Sequence, residues 1–144
     1  MPSLADDSGI EVEALGGAPG VHTRRYAGPQ ATDADNNAKL LRELADVPTT
    51  GRGARYVCVL ALGLPDPAAP GGVRLVFRRG TTRGRVASGL RGDGGFGYDP
   101  LFEPARERAG GRTFGQYDAA EKHAISHRAR AARRMTPVLR ELGF

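Results

Sequence analysis

The chain has 144 residues and a mass of 15.2 kDa, which suits one domain over residues 1–144 with a sizeable core. Hydrophobic residues make 40% and charged residues 26%, so wholesale disorder, collagen and a coiled coil are excluded. The net charge is +5, the single cysteine is Cys58, and no apolar run approaches the roughly 20 residues needed to span a bilayer. The first residues lack an apolar signal core, so a cytoplasmic protein is the default, and a disulfide framework or multi-cysteine zinc site is ruled out.

Of the 21 basic residues, all but Lys39 and Lys122 are Arg. Arg grips phosphate in a bidentate fork. GC-rich codons give the same surface, so charge by itself names no partner and leaves nucleic acid open.

In chain order, residues 1–12 read as a short strand running into an acidic turn, Ala5-Asp6-Asp7-Ser8-Gly9, followed by a second extended piece from Ile10. Leu15 to Gly20 is a loop by its Gly and Pro content. Thr32 to Val47 reads as a helix capped by Thr32 or Asp33, with Ala38, Leu41 and Leu44 on one stripe. Arg55 to Leu64 is a continuous apolar strand of the doubly covered kind. Val73 to Arg78 is its partner, and Thr82 to Ser88 alternates as a third strand. Gly89 to Pro100 is a Gly-rich loop. Asp118 to Leu142 reads as one long helix with a capping-box start. Its stripe is Ile125, Ala129, Ala132, Met135 and Leu139, and Pro137 is expected to kink or split it. The order predicts an α/β domain with α+β character, its charged groups placed in connections.

Three groups of residues carry chemistry. Asp6-Asp7-Ser8-Gly9 follows an apolar strand end. Adjacent strand residues face opposite ways, so one of the two carboxylates faces a given pocket. Such a carboxylate suits Mg²⁺, which takes one or two carboxylates plus substrate phosphates; an Asx-turn needs the same residues. Gly92 to Pro100 places Phe96 and Tyr98 among glycines that let backbone approach a ligand, and an aromatic ring there suits stacking on a base; a Phe96 tucked into the core is the alternative. Lys122, Ser126, His127 and Arg128 put cationic groups near one side of the last helix, as phosphate or base-edge contacts or as a solvated basic face. There is no Walker loop and no evident Ser–His or Cys–His dyad. Metal-assisted attack of water on a phosphate fits all three groups together.

These residues resemble a known family. Ala5-Asp6-Asp7-Ser8-Gly9-Ile10-Glu11-Val12, Leu15 to Val21, Arg25-Tyr26-Ala27-Gly28, Gly92 to Phe102 and Glu121 to Arg128 are similar, in order, to the inosine triphosphate pyrophosphatase (Ham1-like, dITP/XTP pyrophosphatase) family. The resemblance implies a mixed central sheet flanked by helices, in the two-lobed architecture of the ITPase/Maf type. It also implies hydrolysis of ITP, dITP or XTP to the monophosphate and pyrophosphate, with Mg²⁺ as cofactor and a homodimer as the assembly. The partner is then a purine nucleotide, with membrane and nucleic acid not expected. By the same resemblance Asp7 is the catalytic acid and Mg²⁺ ligand, and Ser8, Phe96, Gly97, Tyr98, Asp99, Lys122, His127 and Arg128 contact the substrate. Family members open with a strand and a Thr/Ser-Gly-Asn-x-x-Lys loop that holds the triphosphate. Here Met1-Pro2-Ser3-Leu4 stands directly before the acidic motif, so the chain is expected to match the central and C-terminal part of a family member. An open sheet edge is expected, and a binding remnant without catalysis is the alternative function.

Overall fold

Ser3–Val12, Gly53–Pro65, Val73–Val86 and Phe102–Pro104 form strands β1 to β4. They pair into one sheet in the order β1-β2-β3-β4, every pairing antiparallel. Three helices complete the α/β fold: α1 (Asp33–Glu43), α2 (Ala119–Ile125) and α3 (His127–Glu141). The computed structural model describes all residues from Met1 to Phe144, and β1 stands at a sheet edge.

The acidic segment is not a turn. It lies inside β1, with Asp6 opposite Leu60, Asp7 opposite Val59 and Ser8 opposite Cys58. The long apolar β2 offers partners along its whole length, and that pairing overrides the local turn preference of Asp and Ser. Alternation then sends Asp6 and Ser8 to the helix-covered face and Asp7 to the other. The two segments expected around residues 73–78 and 82–88 are likewise one strand, β3, because β2 is long enough to pair with both.

One sheet face carries two cores. In the larger, Ile10, Val12 and Tyr56 meet Leu40 and Leu44 of α1 together with Tyr98, Phe102 and Phe114. In the smaller, Cys58, Leu60, Leu62 and Leu64 meet Ala131 and Met135 of α3. Burial pushes the Cys58 thiol up from its ordinary value, in keeping with a packing role. Gly80 is what lets α3 lie flat on β3: a Cβ there would collide with the His127 carbonyl and the Ala131 amide.

Residues 118–142 are two helices, not one. The break falls at Ser126, whose extended backbone (φ −66°, ψ 153°) ends α2 while its side chain accepts from the Ala129 amide to start α3. Pro137 sits inside α3 on its exposed side, without ending it. Within α3, Ala129 and Met135 are buried as expected, but Ala131 is buried where Ala132 was expected. α1 begins at the expected place, with a capping box between Thr32 and Asp35, but gives way at Leu44 instead of Val47. There the Arg52 guanidinium donates to the carbonyl oxygens of Leu44, Val47 and Ala87, which supplies the helix end with a cation and donors.

Candidate active site

The break at Ser126 turns the start of α3 toward β1, and the loop between β3 and β4 folds over from the other side. Between them lies a cleft of about 490 Å³ that is lined by Asp7, Ser8, Phe96, Gly97, Tyr98, Asp99, Lys122, His127 and Arg128. All nine residues singled out from the sequence therefore meet in one place. They do not all present themselves in the same way.

Phe96 is 56% exposed, so its ring is not a core residue. Two cations flank it: Lys122 Nζ stands 4.4 Å from the ring centroid and the Arg128 guanidinium carbon 5.0 Å. Each cation has its own carboxylate. Lys122 Nζ donates to Asp99 Oδ2 at 2.5 Å, deep in the structure. Arg128 Nε lies 3.2 Å from Asp6 Oδ2 at the rim and also donates to Ser8 Oγ at 3.2 Å. Ser8 Oγ in turn donates to Asp6 Oδ1.

Asp99 and Tyr98 face inward. Asp99 is 1% exposed, and besides Lys122 it accepts from the Tyr56 hydroxyl and the Phe96 amide, each at 3.0 Å. Gly95 permits that approach, since a Cβ there would collide with the Asp99 carboxylate. Burial, then Asp99, raises the Tyr56 hydroxyl well above its ordinary pKa, so it stays a donor. Tyr98 is buried in the larger core and its hydroxyl donates to the Thr23 carbonyl at 2.7 Å. Tyr98 and Asp99 therefore hold the aromatic loop in shape, with Phe96 and Gly97 at its surface.

His127 stacks on Tyr56, ring centroids 4.7 Å apart and 13° from parallel. Burial, with Arg128 and Lys122 adding to it, pulls its pKa down to about 4. The imidazole is thus neutral near pH 7, with one N–H donor and one acceptor, and its buried Nδ1 has no partner.

Asp7 is the open carboxylate of the cleft. Its side chain takes part in no ion pair or hydrogen bond, whereas Asp6 beside it has both. A second cleft of about 510 Å³ continues past it, lined by Thr23, Arg24, Arg25 and Asp33. No group of three or more His, Cys, Asp or Glu is placed to enclose a metal ion. One open carboxylate is a donor set that Mg²⁺ accepts when substrate phosphates and water complete its shell.

Sequence reasoning missed four contributors. Tyr56 looks like one more apolar strand residue, yet it ties Asp99 to His127. Asp6 looks like the twin of Asp7, yet it is spent on Arg128. Asp33 and Asn37 look like ordinary polar positions on a surface helix, yet both reach the aromatic loop. The one signal available for the last pair was their i, i+4 spacing on a helix start.

Known proteins show the same arrangement of segments. Residues 1–138 match the profile of the Ham1 family. A dITP/XTP pyrophosphatase of Rhodopirellula baltica is 50% identical over 139 residues, covering 96% of this chain and 63% of the relative. One of Syntrophobacter fumaroxidans is 50% identical over 131 residues, covering 91% of this chain and 52% of the relative. The chain thus spans about half to two thirds of the length of these curated relatives. Among solved structures, a HAM1 protein from Coxiella burnetii superposes with a TM-score of 0.84 at 40% identity, over 98% of this chain and 68% of that one. The Staphylococcus aureus Ham1 protein gives 0.82 at 37% identity, over 97% and 67%. With its sheet, its aromatic loop and its acidic strand all inside that match, the chain belongs to the Ham1 family.

Proposed function

We propose that the protein hydrolyses noncanonical purine nucleoside triphosphates, ITP, dITP and XTP, to the monophosphate and pyrophosphate. The observation that carries this reading is the exposed Phe96 ring flanked by Lys122 and Arg128, in one cleft with the unpartnered carboxylate of Asp7. The names borne by the relatives from Rhodopirellula and Syntrophobacter support it.

A purine stacks on Phe96, where base–aromatic stacking contributes about 1–3 kcal/mol. The 6-keto oxygen of hypoxanthine or xanthine is an acceptor. Arg128 and the neutral His127 offer it N–H donors, whereas adenine's 6-amino group would set donor against donor. Lys122, its charge balanced by Asp99, offers a further N–H donor to the base edge. Asp7 would hold Mg²⁺ against the phosphates. The ion would supply charge neutralisation there and would make a nearby water more acidic. Asp7 would also take a proton from the attacking water, so that one P–O bond forms as the link to pyrophosphate breaks. Release of pyrophosphate from ITP with Mg²⁺ tests the reading. Asp7→Asn should cut turnover by about 10²–10⁴-fold and leave the melting temperature unchanged; full activity in that variant refutes it.

A homodimer accords with Val73, Leu75 and Phe77, which alternate onto one face of β3 and are each about half exposed, since exposed apolar patches mark interaction surfaces. Sedimentation of the purified protein decides it. A substrate drawn from the nucleotide pool accords with a cytoplasmic location.

A further inference from the structure

We infer that Asp33 and Asn37, at the start of α1, are positioning residues that set where the Phe96 ring stands, and hence how tightly the cleft holds a purine. The inference rests on the reading that Phe96 carries the base. Because more than half of Phe96 is exposed, the core does not fix its ring; the backbone on either side must. Each peptide around it has an anchor. The Phe96 N–H donates to Asp99 Oδ2 at 3.0 Å. The Gly97 N–H donates to Asp33 Oδ2 at 2.9 Å. The Gly97 carbonyl accepts from Asn37 Nδ2 at 3.0 Å. The last two anchors come from one helix face, four residues apart. Gly97 itself has φ +60° and open space around its Cβ position, so nothing else confines it. The capping box of α1 uses Thr32 and Asp35, which leaves Asp33 free for the loop. Its carboxylate in the first helical turn is favoured by the helix dipole, and an amide donating to a carboxylate makes a strong hydrogen bond. Asn37 is 4% exposed, a burial that a solvated helix position would not need.

Asp33 also lines the cleft beside Asp7, so a role at the phosphate end is the competing explanation, and the test separates the two. Inosine monophosphate is titrated calorimetrically into the 144-residue protein and its variants. Phe96→Ala should weaken binding about tenfold or more. Asp33→Ala and Asn37→Ala should each weaken it about three- to tenfold, the worth of one hydrogen bond. Asp33→Asn, which keeps an acceptor oxygen, should stay within about twofold. In turnover of ITP the Asp33→Ala loss should appear in KM with kcat held. Hydrogen exchange at the Gly97 amide should speed up about tenfold or more in Asp33→Ala and stay slow in Asp33→Asn. If Phe96→Ala binds as well as the parent, the reading of the base site fails. If Phe96→Ala weakens binding while Asp33→Ala and Asn37→Ala do not, the positioning role fails and the base site stands. A loss in kcat alone, or unchanged Gly97 exchange in Asp33→Ala, also overturns it.

Discussion

At one end of the cleft, Lys122 meets Asp99 at 2.5 Å with side chains 17% and 2% exposed; at the other, Arg128 meets Asp6 at 3.2 Å with side chains 45% and 40% exposed. Both pairs do the same geometric job, holding a cation against the Phe96 ring. They differ in what surrounds them. Asp99 takes further hydrogen bonds from Tyr56 and Phe96, and its neighbours Tyr98, Phe102 and Phe114 belong to the larger core. Asp6 lies on the edge strand and Arg128 is an exposed residue in the first turn of α3, with Ser8 as their one shared partner. The base end is thus set before a ligand arrives, because its geometry is part of the fold. The edge end is held by screened, exposed charges that a ligand can displace at little cost.

Breaking the buried pair should have the largest effect on the protein. Asp99→Ala leaves the Lys122 ammonium uncompensated and strands the Tyr56 hydroxyl. Removing one partner of a buried, hydrogen-bonded pair costs about 3–5 kcal/mol, which denaturation in urea will read directly. Nucleotide binding should go with it, since the Phe96 amide loses its anchor. If Asp99→Ala is as stable as the parent protein, the base end is not part of the core and the contrast fails.

Acid acts on the same region, somewhat less severely. His127 lies between Tyr56 and the cleft. Burial pulls its pKa from 6.5 to about 4, with Arg128 and Lys122 adding to the effect and Asp6 opposing it. Between those two values the unfolded chain binds a proton that the native state does not. Stability must therefore fall as pH drops through that window, by roughly 3 kcal/mol at full extent, because a tenfold change in proton affinity is worth about 1.4 kcal/mol. His127→Gln, which cannot titrate, should flatten this part of the stability curve. A curve with the same slope in that variant would show that His127 is not the source of the acid sensitivity.

Much of this was legible in the amino-acid sequence because single residues carried it. Thr32 announces the start of α1, and the apolar run from Tyr56 to Leu64 announces a strand. Nothing local, however, announces that Asp6-Asp7-Ser8-Gly9 is extended, because the deciding partner, β2, lies some fifty residues away and turn preference is weaker than a full ladder. Likewise Pro137 is a louder signal than Ser126, yet Ser126 breaks the helix. A serine can cap a new helix where the chain must bend toward β1, while an exposed proline near a helix end need only forgo one hydrogen bond. The site followed the same rule. Residues that offer their own atoms to the cleft, such as Phe96 and Arg128, were readable by type, while the choice of Asp7 over Asp6 came only with the resemblance. Those that act through another residue, Tyr56, Asp6, Asp33 and Asn37, were not, since their meaning exists only once distant segments meet.

The smallest expected effect lies at the edge pair, and it is the one most able to break the contrast. Asp6→Asn removes the charge opposite Arg128 but keeps a side chain that hydrogen-bonds Ser8. An exposed pair of this kind contributes about 0.2–1 kcal/mol, so stability should change by no more than that and the change should vanish in high salt. Arg128, freed from Asp6, loses its fixed place over Phe96, and preference for inosine over adenine nucleotides should narrow by only a few-fold, since the guanidinium is still present. Asp7→Asn, one residue along, should do the reverse, cutting turnover about 10²–10⁴-fold on both nucleotides without touching that preference. Adjacent carboxylates with opposite phenotypes are what strand alternation allows: one faces α3 and its arginine, the other points the opposite way. Should Asp6→Asn instead cost as much as Asp99→Ala, the two ends of the cleft are equally rigid, and the edge pair is held by more than exposed charge.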